Sequence, residues 1–259
     1  MPEQKIMKKN SSPNFLIVTY QPPKTFTKLL RTLSRFTVLT VGNSENKNLG
    51  YAGAINVGVK KLLKQAGEWV IILNQDIVLS INTLEQLEQH LYKTRADLLG
   101  PFTGTIDPIR YSTIFPVSKI TEPKLSYLSG SFIAIRKNVF SKIGFWEEKY
   151  FLYYEDVDFC QKALKRNLLL EKIELRDIYH EENSSLGKNS FLHQYYLARN
   201  HLLFVEKHAP LIIRFCELFR LPKTIWDHQQ KQESGALYGV KDYLLRKFGK
   251  YEQFRSIDF

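Results

Sequence analysis

The stretch Tyr150–Arg166, YFLYYEDVDFCQKALKR, holds three carboxylates within four residues, and aromatic side chains surround them. The three carboxylates are Glu155, Asp156 and Asp158. Acidic residues favour the first turn of a helix, where free N–H groups and the positive end of the helix dipole stabilise them. A carboxylate that is kept partly dry is also suited to accept a proton. Helical spacing puts Glu155 and Asp158 on a similar face, which leaves Asp156 to point towards a cleft.

A second polar group follows a short apolar run. Asn74, Gln75 and Asp76 come directly after WVIIL, which is typical of a buried strand. Ligands of open α/β sheets bind at the carboxyl ends of strands. A carboxylate with amide neighbours suits a hydrated divalent cation that also holds a diphosphate. The alternative is an Asx turn that only ends the strand.

Two later positions are candidates for chemistry. His180 ends a predicted strand, where a histidine is either a structural residue or a metal ligand. Arg199 and Asn200 interrupt an otherwise apolar helix, YYLARNHLLF. A buried arginine needs an anionic partner, which is either a protein group or a phosphate.

The segment Asn48–Gly58, NLGYAGAINVG, combines three glycines with two asparagines at a helix start. It is not a phosphate-binding loop of the form GxxxxGK[ST], because no lysine and hydroxyl residue follow. Small residues allow the backbone to approach a ligand or a neighbouring strand closely. A tight contact between helix and sheet is the simpler interpretation of the segment by itself.

Strands alternate with helices along the first half of the chain, which predicts βαβ units and an α/β fold with a doubly wound, mostly parallel sheet. The predicted strands are 15–20, 36–41, 69–73, 131–136 and 169–178, and the predicted helices are 25–34, 52–65, 84–92, 138–143, 157–166 and 190–207. The WVIIL strand is fully apolar and is therefore expected to be central and parallel. After Pro210 the chain is expected to be mostly helical.

Composition excludes several classes of protein. The chain has 259 residues, of which 44% are hydrophobic, so a sizeable core is expected and global disorder is not. Two cysteines, Cys160 and Cys216, fit reduced thiols in a cytoplasmic protein. The first 14 residues lack an apolar segment, so we expect no secretory signal. The net charge of +11 indicates an anionic partner, which can be nucleic acid, an acidic membrane surface or a phosphorylated small molecule.

The order of these motifs resembles the family 2 glycosyltransferases, and most of all their rhamnosyltransferase-like branch. The resemblance covers residues 14–205 and rests on FLIVTY, NLGYAGAINVG, LNQD, the block from LSGSFIAIR to EDVDF, His180 and YYLARN. It implies a GT-A type Rossmann-like fold and an inverting transfer of sugar from a nucleoside diphosphate. From this resemblance, together with the polar composition of the first residues and the helical pattern after Pro210, we expect a flexible arm at 1–13, a catalytic domain at 14–208 and a helical C-terminal extension at 209–259.

The resemblance assigns a role to each matching residue. Asp156 corresponds to the general base of the family, and Asp76 and His180 correspond to ligands of a Mg²⁺ or Mn²⁺ ion. The expected acceptor-binding residues are Ser131, Trp146, Tyr154 and Glu155. The expected donor-binding residues are Thr19, Tyr20, Asn43, Gly50, Asn56, Asn74, Gln75, Asp76 and Arg199.

This sequence departs from the family pattern at three places. Asn74 stands where the first acid of the DxD motif is usual, so metal binding is left to Asp76 and the donor phosphates. VGNSEN has Gly42 where an acid is usual, which affects recognition of the base and ribose. Trp146 in GFWEE replaces another common acid and is expected either to stack on an acceptor sugar or to pack in the core.

The predicted function is transfer of a sugar, with rhamnose as the family-level expectation, from a dTDP- or UDP-linked donor. The expected acceptor is a hydroxyl of a glycan or of a lipid-linked glycan in bacterial surface polysaccharide synthesis. The expected location is the cytoplasm, including the inner face of the membrane, and a homodimer is a further expectation. Two alternatives stay open: a non-catalytic protein that binds sugar nucleotides, and a basic protein that binds nucleic acid. Against the second, the basic residues are scattered rather than clustered among exposed aromatic residues.

The C-terminal stretch PLIIRFCELFRLP is an apolar helix with a narrow polar stripe at Arg214, Glu217 and Arg220. One interpretation is a helix in a membrane interface, helped by the basic tail at Lys241, Arg246, Lys247 and Lys250. The other is a helix docked on the catalytic domain or on a dimer partner.

Overall fold

A computed structural model describes residues 12–114, 126–180, 187 and 189–252 of the chain. The predicted flexible arm at 1–13 lies almost wholly outside these described residues. The strands, numbered in chain order, are β1 (Asn14–Thr19), β2 (Thr37–Gly42), β3 (Trp69–Asn74), β4 (Ile77–Leu79), β5 (Leu98–Gly100), β6 (Thr103–Ile106), β7 (Thr113–Ile114), β8 (Tyr127–Leu128), β9 (Phe132–Arg136), β10 (Leu170–Lys172) and β11 (Ile178–His180). The helices are α1 (Phe26–Thr32), α2 (Gly50–Leu62), α3 (Ile81–Lys93), α4 (Lys137–Ile143), α5 (Glu155–Lys165), α6 (Phe191–His208), α7 (Leu211–Gln230) and α8 (Ser234–Leu244).

The main sheet found within the described residues has six strands in the order β10-β5-β9-β3-β1-β2. Strands β1, β2 and β3 pair in parallel, and β5 pairs in parallel with β10. Strand β9 runs antiparallel to both of its neighbours, β3 and β5. The expected α/β fold with a mostly parallel sheet is therefore confirmed, and the antiparallel β9 makes the sheet mixed. The prediction that β3 is central is correct, but one of its two partners is antiparallel.

Helices cover both faces of this sheet, because the side chains of a strand alternate between its faces. In β1, Phe15 and Ile17 face the layer that contains α1 and α3, whereas Leu16 and Val18 face the layer that contains α2 and α5. All four are buried. Helix α2 lies so close to β1 that a Cβ at Gly58 would be 2.2 Å from a methyl group of Leu16. The glycine-rich segment is thus partly explained by the contact between helix and sheet.

The predicted strand 169–178 is wrong as one element, because it is divided into β10 and β11. Asp177 between them has φ 56°, a left-handed conformation that a strand does not contain. The hydroxyl of Thr83, at the start of α3, donates to the carbonyl of Arg176 at 2.7 Å. Strand β11 therefore leaves the main sheet and pairs antiparallel with β4, with His180 opposite Ile77.

The two C-terminal helices follow α6, and α8 packs closely along it. Helix α7 has its polar side towards the protein: the only buried residue of α7 in the described structure is Glu217, while Phe219 is 82% exposed. Cys160 is buried and Cys216 is half-buried, and both are free thiols. In the portion of the chain that the structure describes, none of the helices has the length and apolarity needed to cross a bilayer.

Candidate active site

Asp156 lies in the first turn of α5, at the end of a backbone segment with unusual torsion angles. Phe151, Tyr153 and Tyr154 have φ values of 65°, 67° and 73°, which non-glycine residues rarely adopt. Such strained residues persist only where the surrounding structure holds them, and they concentrate at functional sites. The Asp156 carboxylate accepts hydrogen bonds from the N–H groups of Gly130 and Val157, both at 2.8 Å.

Arg199, which was predicted to contact donor phosphates, holds this strained segment instead. Its side chain is fully buried, and all five of its N–H donors are used within the protein. The prediction of donor binding by Arg199 is therefore wrong. The acceptors are the carbonyls of Lys149, Tyr150 and Gly249, the side-chain oxygen of Asn200 and the hydroxyl of Tyr195.

Asn200 completes the support of the segment before α5. Its amide group is fully buried and donates to the carbonyls of Tyr150, Leu152 and Tyr153 at 2.7–2.9 Å. The polar pair Arg199–Asn200 on α6 thus satisfies backbone groups that a turn with positive φ leaves free. The anionic partner expected from the sequence is a set of carbonyl dipoles.

The pKa values at the start of α5 separate the neighbouring carboxyls. Burial raises the pKa of Asp156 above its ordinary value, although the two backbone N–H groups oppose the shift. Burial, followed by the negative charge of Asp156, raises the pKa of Glu155 well above its ordinary value. Glu155 is 5% exposed, and its Oε2 atom has no hydrogen-bond partner among the residues that the structure describes. A raised pKa brings Asp156 closer to the range in which a carboxylate is an effective general base.

Asp158 has the opposite environment and is fully buried among cations. Its carboxylate is 2.6 Å from Lys162 Nζ and 3.0 Å from Lys207 Nζ, and it accepts from His208 Nε2 at 2.7 Å. Burial alone would raise its pKa, but the His208 hydrogen bond and the two lysine charges hold that pKa well below its usual range. Asp158 is therefore an ionised group that ties α5 to α6.

Asn74, Asp76 and His180 converge at the carboxyl end of β3, as the sequence predicted for a strand end. The Nε2 atom of His180 is 3.2 Å from Oδ1 of Asp76 and 3.3 Å from the amide nitrogen of Asn74. Asp76 is 8% exposed, yet its Oδ1 atom has no hydrogen-bond partner in the described structure. A carboxylate oxygen of Asp76 and a ring nitrogen of His180, both able to bind a metal ion, therefore lie side by side at the carboxyl end of β3.

These residues fit part of a metal site. Two ligands at right angles around an ion at about 2.1 Å are about 3 Å apart, close to the observed separation of Asp76 Oδ1 and His180 Nε2. Among the described residues, however, the structure has no cluster of three His, Cys, Asp or Glu side chains that could hold a metal ion. Asp76 and His180 could therefore supply only part of a coordination shell, and the remaining ligands would come from water or a bound diphosphate.

Two hydrogen bonds through Gly130 and Ser131 connect Asp156 to the edge that carries Asn74 and Asp76. The backbone N–H of Asn74 donates to the carbonyl of Ser131 at 2.9 Å, and the adjacent Gly130 donates to Asp156. The hydroxyl of Tyr51 donates to the carbonyl of Gly130 at 2.7 Å. Gly130 leaves little room, because a Cβ there would be 3.3 Å from atoms of Tyr51 and Asp156.

Tyr51 and Gly130 are site residues that sequence reasoning missed. Burial raises the pKa of Tyr51 well above its ordinary value, and the negative charges of Glu155, Asp156 and Asp76 raise it further. Tyr51 therefore lies within electrostatic reach of both acidic groups. The available signals were the aromatic residue inside NLGYAGAINVG and the glycine of LSGS.

Three predicted ligand-binding residues have structural contacts instead. Asn56 is buried, and its amide pairs with both backbone groups of Trp146 and with Glu148. The ring of Trp146 is 2% exposed and stacks on Phe159 at 5.4 Å, so it packs in the core and does not stack on an acceptor sugar. Gly50 has φ 72°, and a Cβ there would be 2.4 Å from the carbonyl of Phe151. The close approach at Gly50 is to protein rather than to a donor.

The ends of β1 and β3 are joined at the expected nucleotide pocket. Gln75 accepts from the N–H of Tyr20 at 2.9 Å and donates to its carbonyl at 2.7 Å. Thr19, at the end of β1, is buried, and its carbonyl accepts from the N–H of Asn43. The Asn43 amide in turn holds the turn before α2 through Gly50 and Leu49. A donor-binding role for these residues stays a prediction.

The predicted acceptor side is lined by residues close to Asp156. Ser131 is buried, and its hydroxyl pairs with that of Ser129 at 2.9 Å. Tyr154 precedes α5 and packs on Phe204 at 5.4 Å. Burial raises the pKa of Tyr154 to about 12. Acceptor binding by Ser131, Tyr154 and Glu155 likewise stays a prediction.

Sequence comparison finds glycosyltransferases as relatives of the chain. An N-acetylglucosaminyl-diphospho-decaprenol L-rhamnosyltransferase of Mycobacterium tuberculosis is 26% identical, and the match covers 62% of this chain and 66% of the relative. The dTDP-rhamnosyl transferase RfbF of Shigella flexneri is 25% identical, with 66% and 65% covered. The chain spans between 57% and 66% of the length of the curated relatives it matches. No family model matches the chain.

Structural comparison finds a similar fold among solved structures. The mannosyltransferase PcManGT from Pyrobaculum calidifontis, solved in complex with GDP-Man and Mn²⁺, has a TM-score of 0.51 and 9% identity, and the alignment covers 91% of this chain and 87% of PcManGT. At that identity the likeness concerns the fold alone. The fold is that of GT-A glycosyltransferases, and the resemblance to rhamnosyltransferase-like glycosyltransferases of family 2 is confirmed.

Proposed function

We propose that this chain is an inverting glycosyltransferase that moves a sugar from a nucleoside diphosphate to a hydroxyl of a glycan or lipid-linked acceptor. The observation that carries the proposal is the position of Asp156. Its half-buried carboxylate lies beside Gly130, and Gly130–Ser131 connects it to the Asn74–Asp76 edge through two hydrogen bonds. A proton acceptor is thus joined to a site suited to a diphosphate.

The chemistry follows from these groups. The acceptor oxygen attacks the anomeric carbon while Asp156 takes its proton, and the bond from that carbon to the diphosphate oxygen breaks with its electron pair on the leaving group. Attack opposite to the leaving group inverts the anomeric centre. Asp76 and His180 would hold a divalent cation, whose positive charge would stabilise the departing diphosphate. The hydroxyl of Tyr51 binds the carbonyl of Gly130 and thereby holds the N–H of Gly130 that orients Asp156.

Rhamnose is the proposed sugar, dTDP or UDP the proposed carrier, and bacterial surface polysaccharide synthesis the proposed setting. The name of the Shigella relative includes a dTDP-rhamnosyl donor, and that of the Mycobacterium relative includes a diphospho-decaprenol acceptor. We place the reaction in the cytoplasm at the inner membrane face, and we keep the division into a catalytic domain at 14–208 and an extension at 209–259.

The first test measures the melting temperature of the wild type with UDP, dTDP, GDP and CDP, each with and without Mn²⁺. A ligand that binds the folded state raises the melting temperature by mass action. We expect one nucleotide to give a shift that Mn²⁺ enlarges, and we expect Asp76→Asn to lose the Mn²⁺-dependent part. Asp227→Asn, near the C-terminal end of helix α7, is the matched control and is expected to behave as the wild type.

The second test measures transfer of rhamnose from the donor that the first test selects to a polyprenyl-diphosphate-linked N-acetylglucosamine. A non-catalytic sugar-nucleotide-binding protein is the competing function, which Asn74 favours because it replaces an acid at the metal edge. That alternative predicts the thermal shift without transfer. The absence of both a shift and transfer would contradict the proposal.

A further inference from the structure

Helix α7 exposes its apolar face to solvent and turns its polar face to the protein. The exposed fractions are 82% for Phe219, 70% for Ile212 and 62% for Trp226, values that are high for large apolar side chains. We define the α7 surface as the exposed apolar residues on this face, which are Leu211, Ile212, Phe215, Leu218, Phe219 and Trp226. Helical spacing brings these residues onto one side of α7 over about four turns.

The polar side chains on the opposite side of α7 make local hydrogen bonds. Arg214 Nε donates to the carbonyl of Ala209 at 2.7 Å. Arg220 donates to Glu217 at 2.8 Å, and Glu217 is 8% exposed. Turning the apolar face inwards would expose the carboxylate of Glu217 and break the contact of Arg220 with the carbonyl of Ile109 at 3.4 Å.

The charges that accompany the α7 surface are positive. On α7 the exposed charged side chain within the described structure is Lys223, and Arg110 is exposed on the neighbouring loop 107–112. The acids of these two segments are not exposed, since Glu217 is buried and Asp107 and Asp227 are half-buried. An apolar stripe flanked by cations on a chain of net charge +11 matches an anionic lipid surface.

The α7 surface lies next to the acceptor side of the candidate active site. Arg220 reaches the carbonyl of Ile109 at 3.4 Å, and Ile109 is itself 65% exposed. From the same loop, Tyr111 stacks on Phe204 at 5.4 Å, and Phe204 also contacts Tyr154. A bilayer that contacts α7 and Ile109 would therefore lie beside the residues that lead to Asp156.

We propose that the α7 surface inserts into the headgroup region of an anionic bilayer and lies in the plane of that interface. Only the purpose of this contact rests on the proposed function: it would present the hydroxyl of a lipid-linked acceptor to Asp156. The surface itself is independent of transfer. Because α7 carries its polar groups on the protein side, the contact is peripheral rather than membrane-spanning.

Trp226 provides a direct reporter of this contact. The chain has three tryptophans, and Trp69 and Trp146 are each 2% exposed. A change in emission when vesicles are added to the full chain therefore reports mainly on Trp226. We expect a blue shift with vesicles of phosphatidylcholine and phosphatidylglycerol, a smaller shift with phosphatidylcholine alone, and a loss of the difference at high salt.

The matched variants are a Phe215→Ser/Phe219→Ser double variant, which keeps Trp226, and Ile81→Ser/Tyr92→Ser on α3, where the side chains are similarly exposed. The first is expected to weaken vesicle binding at least tenfold, because it removes two large apolar side chains, and the second to leave it unchanged. Both are expected to keep the nucleotide-dependent thermal shift, which separates a failure of this inference from a failure of the proposed function.

Two results would overturn the inference. One is unchanged Trp226 emission with both kinds of vesicle. The other is concentration-dependent association of the wild type, measured by light scattering, that Phe215→Ser/Phe219→Ser abolishes while vesicles have no effect. The second result would assign the α7 surface to a second copy of the chain.

Discussion

The two sides of the first turn of α5 carry the same functional group in opposite surroundings. Asp156 accepts only backbone N–H groups, and burial raises its pKa. Two residues later, Asp158 lies between Lys162, Lys207 and His208, which hold its pKa well below the usual range. The comparison teaches that the partners of a buried carboxylate decide its use. Neutral donors leave Asp156 with a raised pKa, which fits the proposed general base, whereas cations keep Asp158 an anion that links two helices.

The largest expected effect comes from Asp156→Asn. Asparagine keeps an oxygen for the Gly130 N–H but cannot take a proton, so we expect transfer to fall by about 10²- to 10⁴-fold. The melting temperature is expected to stay within a few degrees of the wild type. Steady-state transfer and thermal melting of the same preparation measure both effects.

Asp158→Asn is expected to lower the melting temperature, which Asp156→Asn leaves almost unchanged. It removes the buried negative charge that pairs with Lys162 and Lys207, and breaking such a pair costs about 3–5 kcal/mol. We expect a fall in melting temperature of roughly 10 °C, since each kcal/mol is worth about 2–4 °C in a chain of this size. Glu68→Gln, which loses an exposed ion pair with Arg136, is the control and should change the melting temperature little. An unchanged melting temperature in Asp158→Asn would refute the structural role.

Asn200→Ala tests how far support of the strained segment matters to Asp156. The substitution removes the donor to the carbonyls of Leu152 and Tyr153, while Arg199 still donates to that of Tyr150, and we expect a cost of about 2 kcal/mol of stability. Transfer is expected to fall in kcat while the nucleotide-dependent thermal shift is retained, because the donor edge is not touched. Gln194→Ala, a half-exposed residue on the same helix, serves as control. Equal losses in both variants would argue against a specific role of Asn200.

Lowering the pH should remove the stability that the ionised Asp158 contributes. Because the folded-state pKa of Asp158 is lowered, its contribution is present above the unfolded value of about 3.9 and is lost as pH falls through the folded value. We therefore expect the stability difference between wild type and Asp158→Asn to shrink as pH is lowered below about 4. Denaturant titrations at several pH values measure it, and a difference that grows at low pH would contradict the assignment.

The smallest expected effect is that of Glu155→Gln. The pKa of Glu155 is raised, so its ionisation costs stability once pH exceeds the unfolded value of about 4.3. Glutamine removes this cost, and we expect the melting temperature at pH 8 to rise slightly relative to wild type, with no rise at pH 4. A lower melting temperature at pH 8 would show that Glu155 is needed as an ion.

The sequence predicted the parts of the site that depend on local pattern. Acids after an apolar run and acids at a helix start define Asp76 and Asp156 by position alone, and the structure has both where strand and helix ends were expected. The fold class followed from the alternation of apolar strands and amphipathic helices. These features depend on neighbours within a few residues, which a single sequence contains.

The sequence could not predict partners that are distant along the chain. Arg199 reaches carbonyls about 50 residues away, and Asn56 pairs with Trp146 across 90 residues. A buried polar residue looks the same in sequence whether it binds a phosphate or a backbone carbonyl. The orientation of α7 could not be predicted either, because a polar stripe in the sequence does not reveal which side of the helix faces the protein.

The most direct test of the central claim is a single-turnover measurement of transfer by Asp156→Asn at saturating donor, with donor binding confirmed by the nucleotide-dependent thermal shift. If Asp156 is the general base, the variant binds donor as the wild type does and transfers sugar at least a hundredfold more slowly. Transfer at the wild-type rate by a variant that binds donor normally would contradict the assignment.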